Sequence, residues 1–228
     1  TNSERVWNFV NRFAEFLPYV HRVKANHAGR LYSFPPNRET FKQLGIAHDA
    51  PEAESVIRRA FFEGYTAKQW GRPIEDVPAD VLARIPIRNN ADDRYFTDTY
   101  QGLPADGYTA MIARMLDGIE VKTGVDYLAD KDYWNMQAAE VIYTGALDEY
   151  YGYDAGRLEY RSLTFDTMRV DVRQFQGAAM MNYCDLDVPY TRIWDWSWFW
   201  PRDVAHTVIT AEYPAAVGER YYPVNDAV

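Results

Sequence analysis

The sequence predicts an α+β fold, in which a helical region is followed by a region of β-strands. Between residues 37 and 116, apolar side chains recur at helical spacing. After Gly156 the chain consists of short segments rich in β-branched and aromatic residues, separated by Asp and Pro. Helices and strands therefore come in separate runs, which favours α+β over an alternating α/β fold. In more detail, we expect a small helical bundle domain and a twisted antiparallel β-sheet domain.

The first predicted elements are a helix and a hairpin. Ser3 can cap the helix, its apolar positions repeat from Val6 to Leu17, and Pro18 ends it. Residues 19–34 then predict a β-hairpin, because polar and apolar side chains alternate on both sides of the turn Ala28-Gly29. A pair of prolines follows and ends the hairpin.

The middle of the chain predicts helices broken by an irregular stretch. The periodic pattern from residue 37 gives way between residues 71 and 104 to a stretch punctuated by prolines, which we expect to line a site. Further on, residues 119–125 and 141–143 predict two short strands.

Four strands are predicted after Gly156, at residues 157–169, 178–183, 190–199 and 204–213. In the third of them Trp194, Trp196, Trp198 and Trp200 alternate with other residues, so a strand there would carry four indoles on one face. We interpret this run as a face that packs on the helical domain or on a dimer partner. A surface that stacks on sugars is the alternative.

Composition limits the class of protein. The 228 residues, 47% of them hydrophobic, suffice for one large domain or two small ones. A net charge of −9 disfavours nonspecific binding to nucleic acid or to an anionic membrane, so anionic ligands must be held by individual arginines. The single cysteine, Cys184, predicts a small buried hydrophobe in a reducing compartment. We therefore expect a cytoplasmic protein without a membrane span.

Several side chains could bind a flat base, phosphates or hydroxyl groups, although an arginine is usually a solvated surface charge and eighteen tyrosines make any one of them a weak signal. Phe61, Tyr65 and Trp70 can stack on a base, with Thr66 beside them, although such a stripe also fits core packing. Arg84 and Arg192 can bind phosphate oxygens bidentately, and Tyr95 and Tyr222 can donate phenolic hydrogen bonds. Asn26, His27 and Asn182 can address hydroxyl groups of the ribose or the sugar. The four histidines show no spacing typical of metal ligands.

Seven short motifs lie along almost the whole chain in a fixed order. They read Val-Lys-Ala-Asn-His-Ala-Gly, Gly-Tyr-Thr-Ala-Lys-Gln-Trp-Gly, Arg-Ile-Pro-Ile-Arg, Gly-Tyr-Thr, Tyr-Thr-Gly, Glu-Tyr-Arg-Ser-Leu and Tyr-Tyr-Pro-Val-Asn-Asp. In this order they resemble UDP-galactopyranose mutase, a flavoenzyme that interconverts the pyranose and furanose forms of UDP-galactose. Each motif alone is weak evidence, whereas their shared order along the chain makes a chance match a poor explanation.

The resemblance implies an isomerase (intramolecular transferase) of galactofuranose biosynthesis for cell wall polysaccharide, working through an adduct at N5 of reduced FAD. It implies that Arg84 and Arg192 are catalytic and hold the departing UDP. The implied substrate-binding residues are Asn26, His27, Phe61, Tyr65, Thr66, Trp70, Tyr95, Asn182 and Tyr222. Arg161, Thr144 and Gly145 match positions beside the flavin.

The resemblance also divides the chain. Residues 1–36 would belong to the flavin and sheet part, 37–117 to a helical substrate-binding domain, 118–152 to a remnant of an α/β FAD-binding domain, and 153–228 to the antiparallel sheet domain. The helical domain lacks an insert that family members carry between the equivalents of Arg59 and Phe61. Because no Gly-x-Gly-x-x-Gly follows a strand, we expect a fragment that neither retains FAD nor isomerises its substrate alone.

Two alternatives stay open at this point. One is a mutase for another nucleotide sugar, since base and sugar contacts can change while both arginines remain. The other is a noncatalytic protein that binds nucleotide sugars or carbohydrates. UDP-galactose as substrate, a homodimer as assembly, and no nucleic acid or membrane partner complete the expectations.

Overall fold

The computed structural model describes residues 1–77, 85–199 and 203–224. Its α-helices are α1 (Glu4–Val10), α2 (Arg38–Leu44), α3 (Ala53–Ile57), α4 (Gly64–Trp70), α5 (Gly107–Met115), α6 (Lys131–Met136) and α7 (Leu147–Tyr150). Its strands are β1 (Phe16–Pro18), β2 (Val23–His27), β3 (Arg30–Phe34), β4 (Gly102–Pro104), β5 (Tyr160–Val170), β6 (Met180–Tyr183), β7 (Arg192–Asp195), β8 (Thr207–Ala215) and β9 (Tyr222–Pro223). No helix in these ranges is long and apolar enough to span a bilayer.

The N-terminal elements confirm the predicted cap and hairpin but not the length of the first helix. The Ser3 side chain accepts a hydrogen bond from the backbone N–H of Val6, so α1 begins as expected. It ends at Val10 rather than near Leu17, because residues 16–18 pair with residues 102–104 as a two-stranded sheet. In the hairpin, β2 pairs with β3, and Ala28 and Gly29 take the positive φ angles of the turn.

The main sheet has seven strands in the order β3-β2-β6-β7-β8-β5-β9. All pairs are antiparallel except β2 and β6, which are parallel. The sheet is therefore mixed. The strands after Gly156 pair with one another in antiparallel fashion, as predicted, but the hairpin joins them through a parallel pair that was not predicted. In the sequence, β2 and β6 are separated by the whole helical region. The residue pattern within a strand does not reveal whether it runs parallel or antiparallel to such a distant neighbour.

The two short strands expected at residues 119–125 and 141–143 do not form. A strand persists only where its backbone groups find a partner, and these segments pair with none of the described strands. Their apolar side chains lie open to solvent, with Ile119 60% and Ile142 88% exposed.

The tryptophan run is not a four-indole strand. β7 ends at Asp195, whose side chain accepts from the backbone N–H of Ser197 and starts a 3₁₀-helix at residues 196–198. Only Trp194 belongs to β7, and its ring stacks on Trp196 with centroids 6.1 Å apart. Trp200 lies outside the described residues.

Asp195 holds this corner of the sheet together. Its buried carboxylate also accepts from the hydroxyl of Thr207 at 2.7 Å and from the backbone N–H of Phe175 at 2.7 Å and Gln176 at 3.3 Å. Burial acts to raise the pKa of Asp195, but the hydrogen bonds from Thr207, Ser197 and the backbone outweigh it and hold that pKa below its ordinary value.

The main core lies between the sheet and the helix formed by α3, α4 and the π-helical segment Arg58–Glu63 that joins them. It includes Val23, Ala25, Phe34, Ile57, Phe61 and Met180. Cys184 is 3% exposed and belongs to the same cluster, which confirms its prediction as a buried hydrophobe. Residues 58–70 are called the aromatic helix below.

Candidate functional site

Three polar side chains form a row across the centre of the sheet. Asn182 on β6 lies opposite Arg192 on β7, and Arg192 lies opposite Glu212 on β8. Residues that are direct partners in neighbouring strands point to the same face of a sheet. Asn182 and Glu212 are 5% and 3% exposed, and Arg192 between them is partly exposed, so the two ends of this polar row are buried within the fold.

The aromatic helix forms a wall next to the polar row. Tyr65 and Gln69 are one turn apart and share a face, and Phe61 precedes them in the π-helical segment. α4 ends at Trp70, and Gly71 follows with the left-handed conformation that closes a helix.

A cavity of about 260 Å³ lies between this wall and the row. It is lined by Phe34, Phe61, Phe62, Tyr65, Thr66, Gln69, Trp70, Ile85, Tyr95, Met180, Asn182, Arg192, Tyr222 and Pro223. The structure therefore brings eight of the predicted site residues to one cavity, although Phe61 and Tyr222 are 161 positions apart (222 − 61). Ile85 and Tyr95 come from the irregular stretch that was expected to line a site.

Arg192 is the charged centre of the cavity. Its guanidinium donates to the Tyr65 hydroxyl, with Nε 3.1 Å from Oη and Nη2 also bonded, and pairs with the Glu212 carboxylate at 3.3 Å. Burial acts to lower the pKa of Arg192, but Tyr65 and Glu212 raise it above its ordinary value. The guanidinium is thus charged and already oriented before any ligand binds.

Tyr65 is kept neutral in the same arrangement. Burial, partly opposed by Arg192, raises the pKa of Tyr65 to about 12. Because Arg192 donates to the phenolic oxygen, the hydroxyl hydrogen of Tyr65 stays available as a donor.

His21 lies beside this centre and was not predicted from the sequence. Its ring lies 6.3 Å from that of Trp194, and Tyr19 bonds its Nδ1 at 2.8 Å. Burial, with a further contribution from Arg192, lowers the pKa of His21 to about 4. At neutral pH the ring is therefore uncharged and adds no second cation to the site. A lone histidine in a stretch of alternating polar and apolar residues gives no sequence signal for a place beside Arg192.

Two side-chain oxygens on residues that line the cavity are unpaired within the described residues. Gln69 Oε1 and Asn182 Oδ1 are buried without a hydrogen-bond partner, and both residues line the cavity. A buried acceptor that lacks a partner is unfavourable, so these two amides are candidates to accept from N–H or O–H donors of a ligand. Gln69 was missed, although its position one turn after Tyr65 is a signal that could have found it.

Two predicted site residues do not line this cavity. His27 ends β2, and its Nδ1 lies 2.5 Å from the Asp185 carboxylate, so the chain itself already provides its partner. Asn26 pairs with Leu31 and Tyr183 in the sheet. Arg84, the second predicted phosphate ligand, lies outside the described residues.

The three flavin candidates also lie away from the cavity lining. Arg161 on β5 donates from Nε to the Gln69 carbonyl at 3.1 Å, and its guanidinium lies against Gly71. Gly145 follows Thr144 in a loop, where a Cβ on Gly145 would lie 2.3 Å from the Tyr143 hydroxyl. That side of the loop is thus filled by the chain's own tyrosine. No cluster of metal-binding side chains occurs in the described part of the chain.

Comparison with known proteins identifies relatives of the chain. The family model of UDP-galactopyranose mutase matches residues 60–228. A probable UDP-galactopyranose mutase of Klebsiella pneumoniae is 39% identical over 260 residues, covering 99% of this chain and 66% of that protein. The dTDP-fucopyranose mutase of Escherichia coli is 35% identical over 261 residues, covering 99% of this chain and 69% of that protein.

A solved structure supports the fold. The crystal structure of a reduced UDP-galactopyranose mutase matches with a TM-score of 0.59 and 12% sequence identity, over 99% of this chain and 62% of that one. The chain spans about two thirds of the length of these relatives. At least 32 positions of the Klebsiella alignment (260 − 228) have no residue in this chain, in agreement with a missing insert whose location stays a prediction.

Proposed function

The chain belongs to the UDP-galactopyranose mutase family, and we propose that it is the substrate-binding part of an isomerase that interconverts UDP-galactopyranose and UDP-galactofuranose. Membership follows from the family model over residues 60–228 and from the Klebsiella relative. Activity, substrate and cofactor belong to whole proteins of which this chain spans about two thirds, and they are part of the proposal.

One observation carries the proposal: a single cavity combines stacking surfaces, one oriented arginine and unpaired acceptors. Uracil presents two flat faces, which Tyr65 and Trp70 can cover. The ribose and the imide group present donors, which Gln69 and Asn182 can accept. The diphosphate presents anionic oxygens, which the Arg192 guanidinium can bind.

Within the proposed reaction, Arg192 acts on the leaving group. Charge accumulates on the β-phosphate as UDP separates from the sugar, and a fixed guanidinium stabilises that charge more strongly than it stabilises the substrate. The Tyr65 hydroxyl can donate to the same phosphate, because its oxygen is held by Arg192. Trp70 and Phe61 exclude water and hold the base so that UDP stays bound for return to the sugar.

Members of the family use reduced FAD, and Arg161, Thr144 and Gly145 stay the residues predicted to lie beside it, while this chain shows no Gly-x-Gly-x-x-Gly after a strand to hold the cofactor. Arg161 is packed on the Gly71 turn, and the Tyr143 ring fills the side of Gly145. We therefore assign no step to the flavin. We expect the 228-residue chain to be purified without the absorbance of bound FAD, and binding of added FAD would contradict this.

A second candidate is a mutase for another nucleotide sugar. The observation that favours it is the 35% identity to dTDP-fucopyranose mutase over nearly the whole chain. Both nucleotides bring a flat pyrimidine and a diphosphate, so the features of the cavity named above serve either. The two differ in the ribose 2′-hydroxyl and the base methyl group, which a binding comparison can resolve.

Calorimetric titration of the chain with UDP, dTDP and ADP tests the proposal. We expect UDP to bind more tightly than ADP, because adenine lacks the imide N–H donor of uracil that Gln69 or Asn182 can accept. Arg192→Ala should remove UDP binding, whereas Arg169→Ala should not, since Arg169 is an exposed strand arginine paired with Asp171. Tighter binding of dTDP than of UDP would select the second candidate, and equal binding of ADP would contradict both.

A further inference from the structure

Lys68 lies in the motif that forms the aromatic helix, where a lysine would ordinarily be assigned to the phosphates of a ligand. Its Nζ instead donates to three backbone carbonyls at the end of β6 and in the turn between β6 and β7. These are the carbonyls of Tyr183 at 2.8 Å, Val188 at 3.0 Å and Tyr190 at 3.0 Å. An ammonium group has three N–H donors. All three are used, so Lys68 has none left for a phosphate.

Gly64 makes a second contact between the same two elements. It lies one helical turn before Lys68, and a Cβ at this position would be 2.3 Å from the carbonyl oxygen of Cys184. The helix backbone therefore packs directly on the turn, at a distance that only glycine permits. Gly64 and Lys68 together are called the clamp below.

The clamp joins the two halves of the cavity without lining it. The turn that it grips leads from Asn182 at its start to Arg192 at its end. In the same helix, Tyr65 directly follows Gly64 and Gln69 directly follows Lys68, so the two cavity residues lie on the neighbouring face. Neither Gly64 nor Lys68 is among the lining residues.

We propose that Lys68 is a positioning residue, which fixes the distance between the base-binding helix and the strand that carries Arg192. The inference rests on the proposed function of the cavity as a nucleotide site. A ligand that touches both halves, such as UDP, needs this distance to be right. Uridine has no phosphates to reach Arg192, so its binding depends less on this distance.

The test compares the affinities of UDP and of uridine in the wild-type chain and in Lys68→Met. Both affinities are measured by titration with tryptophan fluorescence as the signal. The methionine keeps the length of the stem and removes the three donors. We expect the preference for UDP over uridine to fall about tenfold, the size of a displaced charged hydrogen bond, while uridine affinity changes less than about threefold. A general loss of folded protein would lower both affinities alike and leave their ratio unchanged.

Lys131→Met is the matched control. Lys131 Nζ donates to the Tyr150 carbonyl at 2.9 Å, so this variant removes a similar lysine-to-backbone bond outside the site. We expect its UDP preference to equal that of the wild type. If Lys68→Met does not fold, Lys68→Arg keeps the charge, but its planar guanidinium cannot direct three N–H groups at carbonyls clustered around one point. It should lose part of the preference, about threefold or more.

The results separate the inference from the proposed function. A wild-type chain that binds UDP, combined with Lys68 variants of unchanged preference, would overturn the positioning role alone. If the preference for UDP over uridine fell as much in Lys131→Met as in Lys68→Met, the positioning role of Lys68 would also be overturned. A wild-type chain that binds UDP no better than uridine would refute the nucleotide site, and the inference with it.

Discussion

Replacing Glu212 by Gln should have opposite effects on folding and on ligand binding. The Glu212 carboxylate is buried beneath Arg192 and lies 3.3 Å from its Nε. It also lies 3.4 Å from the indole N–H of Trp194. The substitution keeps the size of the side chain and removes the negative charge that balances the guanidinium.

The effect on folding follows from the geometry of the ion pair. Two unit charges 3.3 Å apart attract each other by about 5 kcal/mol at an effective dielectric constant of about 20. Removing one partner of a buried pair leaves the other charge uncompensated, which typically costs about 3–5 kcal/mol. Because glutamine can still accept one hydrogen bond from Arg192, we expect the free energy of unfolding to fall by about 3 kcal/mol.

The effect on binding has the opposite sign. A phosphate on the outer side of the guanidinium would lie about 7 Å from Glu212, where each negative charge is repelled by about 2 kcal/mol at the same dielectric constant. Allowing for solvent screening, removal of the carboxylate should strengthen UDP binding by about 1–2 kcal/mol, or roughly five- to thirtyfold.

Two assays on the same protein measure these effects. Urea unfolding followed by tryptophan fluorescence gives the stability, and calorimetric titration gives the dissociation constant of UDP. Asp171→Asn is the matched control, because it neutralises an acid in an exposed pair whose side chains are 64% and 85% exposed and should change neither quantity. If UDP bound Glu212→Gln no more tightly than the wild type, phosphate would not share the Arg192 guanidinium with Glu212, and the reasoning would be refuted.

Three further predictions concern single side chains. Asp195→Asn should lower the free energy of unfolding by about 2–4 kcal/mol at neutral pH, because an amide cannot accept every hydrogen bond that the carboxylate accepts. The pKa of Asp195 lies below its ordinary value, so its contribution is complete above the unfolded-state pKa of about 4 and is lost as the pH falls through the folded-state value. Urea titrations over a pH series should therefore show the two proteins converging in acid, and a constant difference would contradict this. Arg192→Lys should weaken UDP binding about tenfold or more, since an ammonium keeps the charge but loses the planar fork; an unchanged calorimetric affinity would place the phosphates elsewhere. Gln69→Leu should weaken uridine and UDP by the same factor, about three- to tenfold, whereas a loss confined to UDP would mean that Gln69 faces the phosphates and not the nucleoside.

Local features of the fold could be predicted from the sequence because they depend on neighbouring residues. The hairpin was predictable because Ala28-Gly29 supplies the turn, and the start of α1 because Ser3 can cap it. The same is true of the helical face that carries Tyr65. In each case the determining residues lie within a few positions of one another.

Features that depend on distant partners could not be predicted. The parallel pairing of β2 with β6 joins segments separated by the whole helical region. Glu212 becomes the partner of Arg192 only through the register of β7 and β8. Asp185 becomes the partner of His27 Nδ1 only through the fold, 158 positions later, and the sugar contact of His27 stays a prediction. In all three cases the decisive contact is made by tertiary structure.

The apolar pattern at residues 119–125 predicted a strand that the structure does not contain. Alternation of this kind indicates a strand only when an edge is available to pair with it, and the described strands offer none to this segment. The tryptophan run failed for a different reason. Asp195 caps a 3₁₀-helix in the middle of the alternation, so the periodicity of a strand does not extend through it.

A crystal structure of the chain grown with UDP would show whether one cavity binds a uridine diphosphate across the aromatic helix and the polar row. We expect uracil against Tyr65, at least one phosphate oxygen bonded to the Arg192 guanidinium, and a donor of the nucleoside on Gln69 or Asn182. UDP bound at another surface, or bound in the cavity without contact between its phosphates and Arg192, would rule out this nucleotide site.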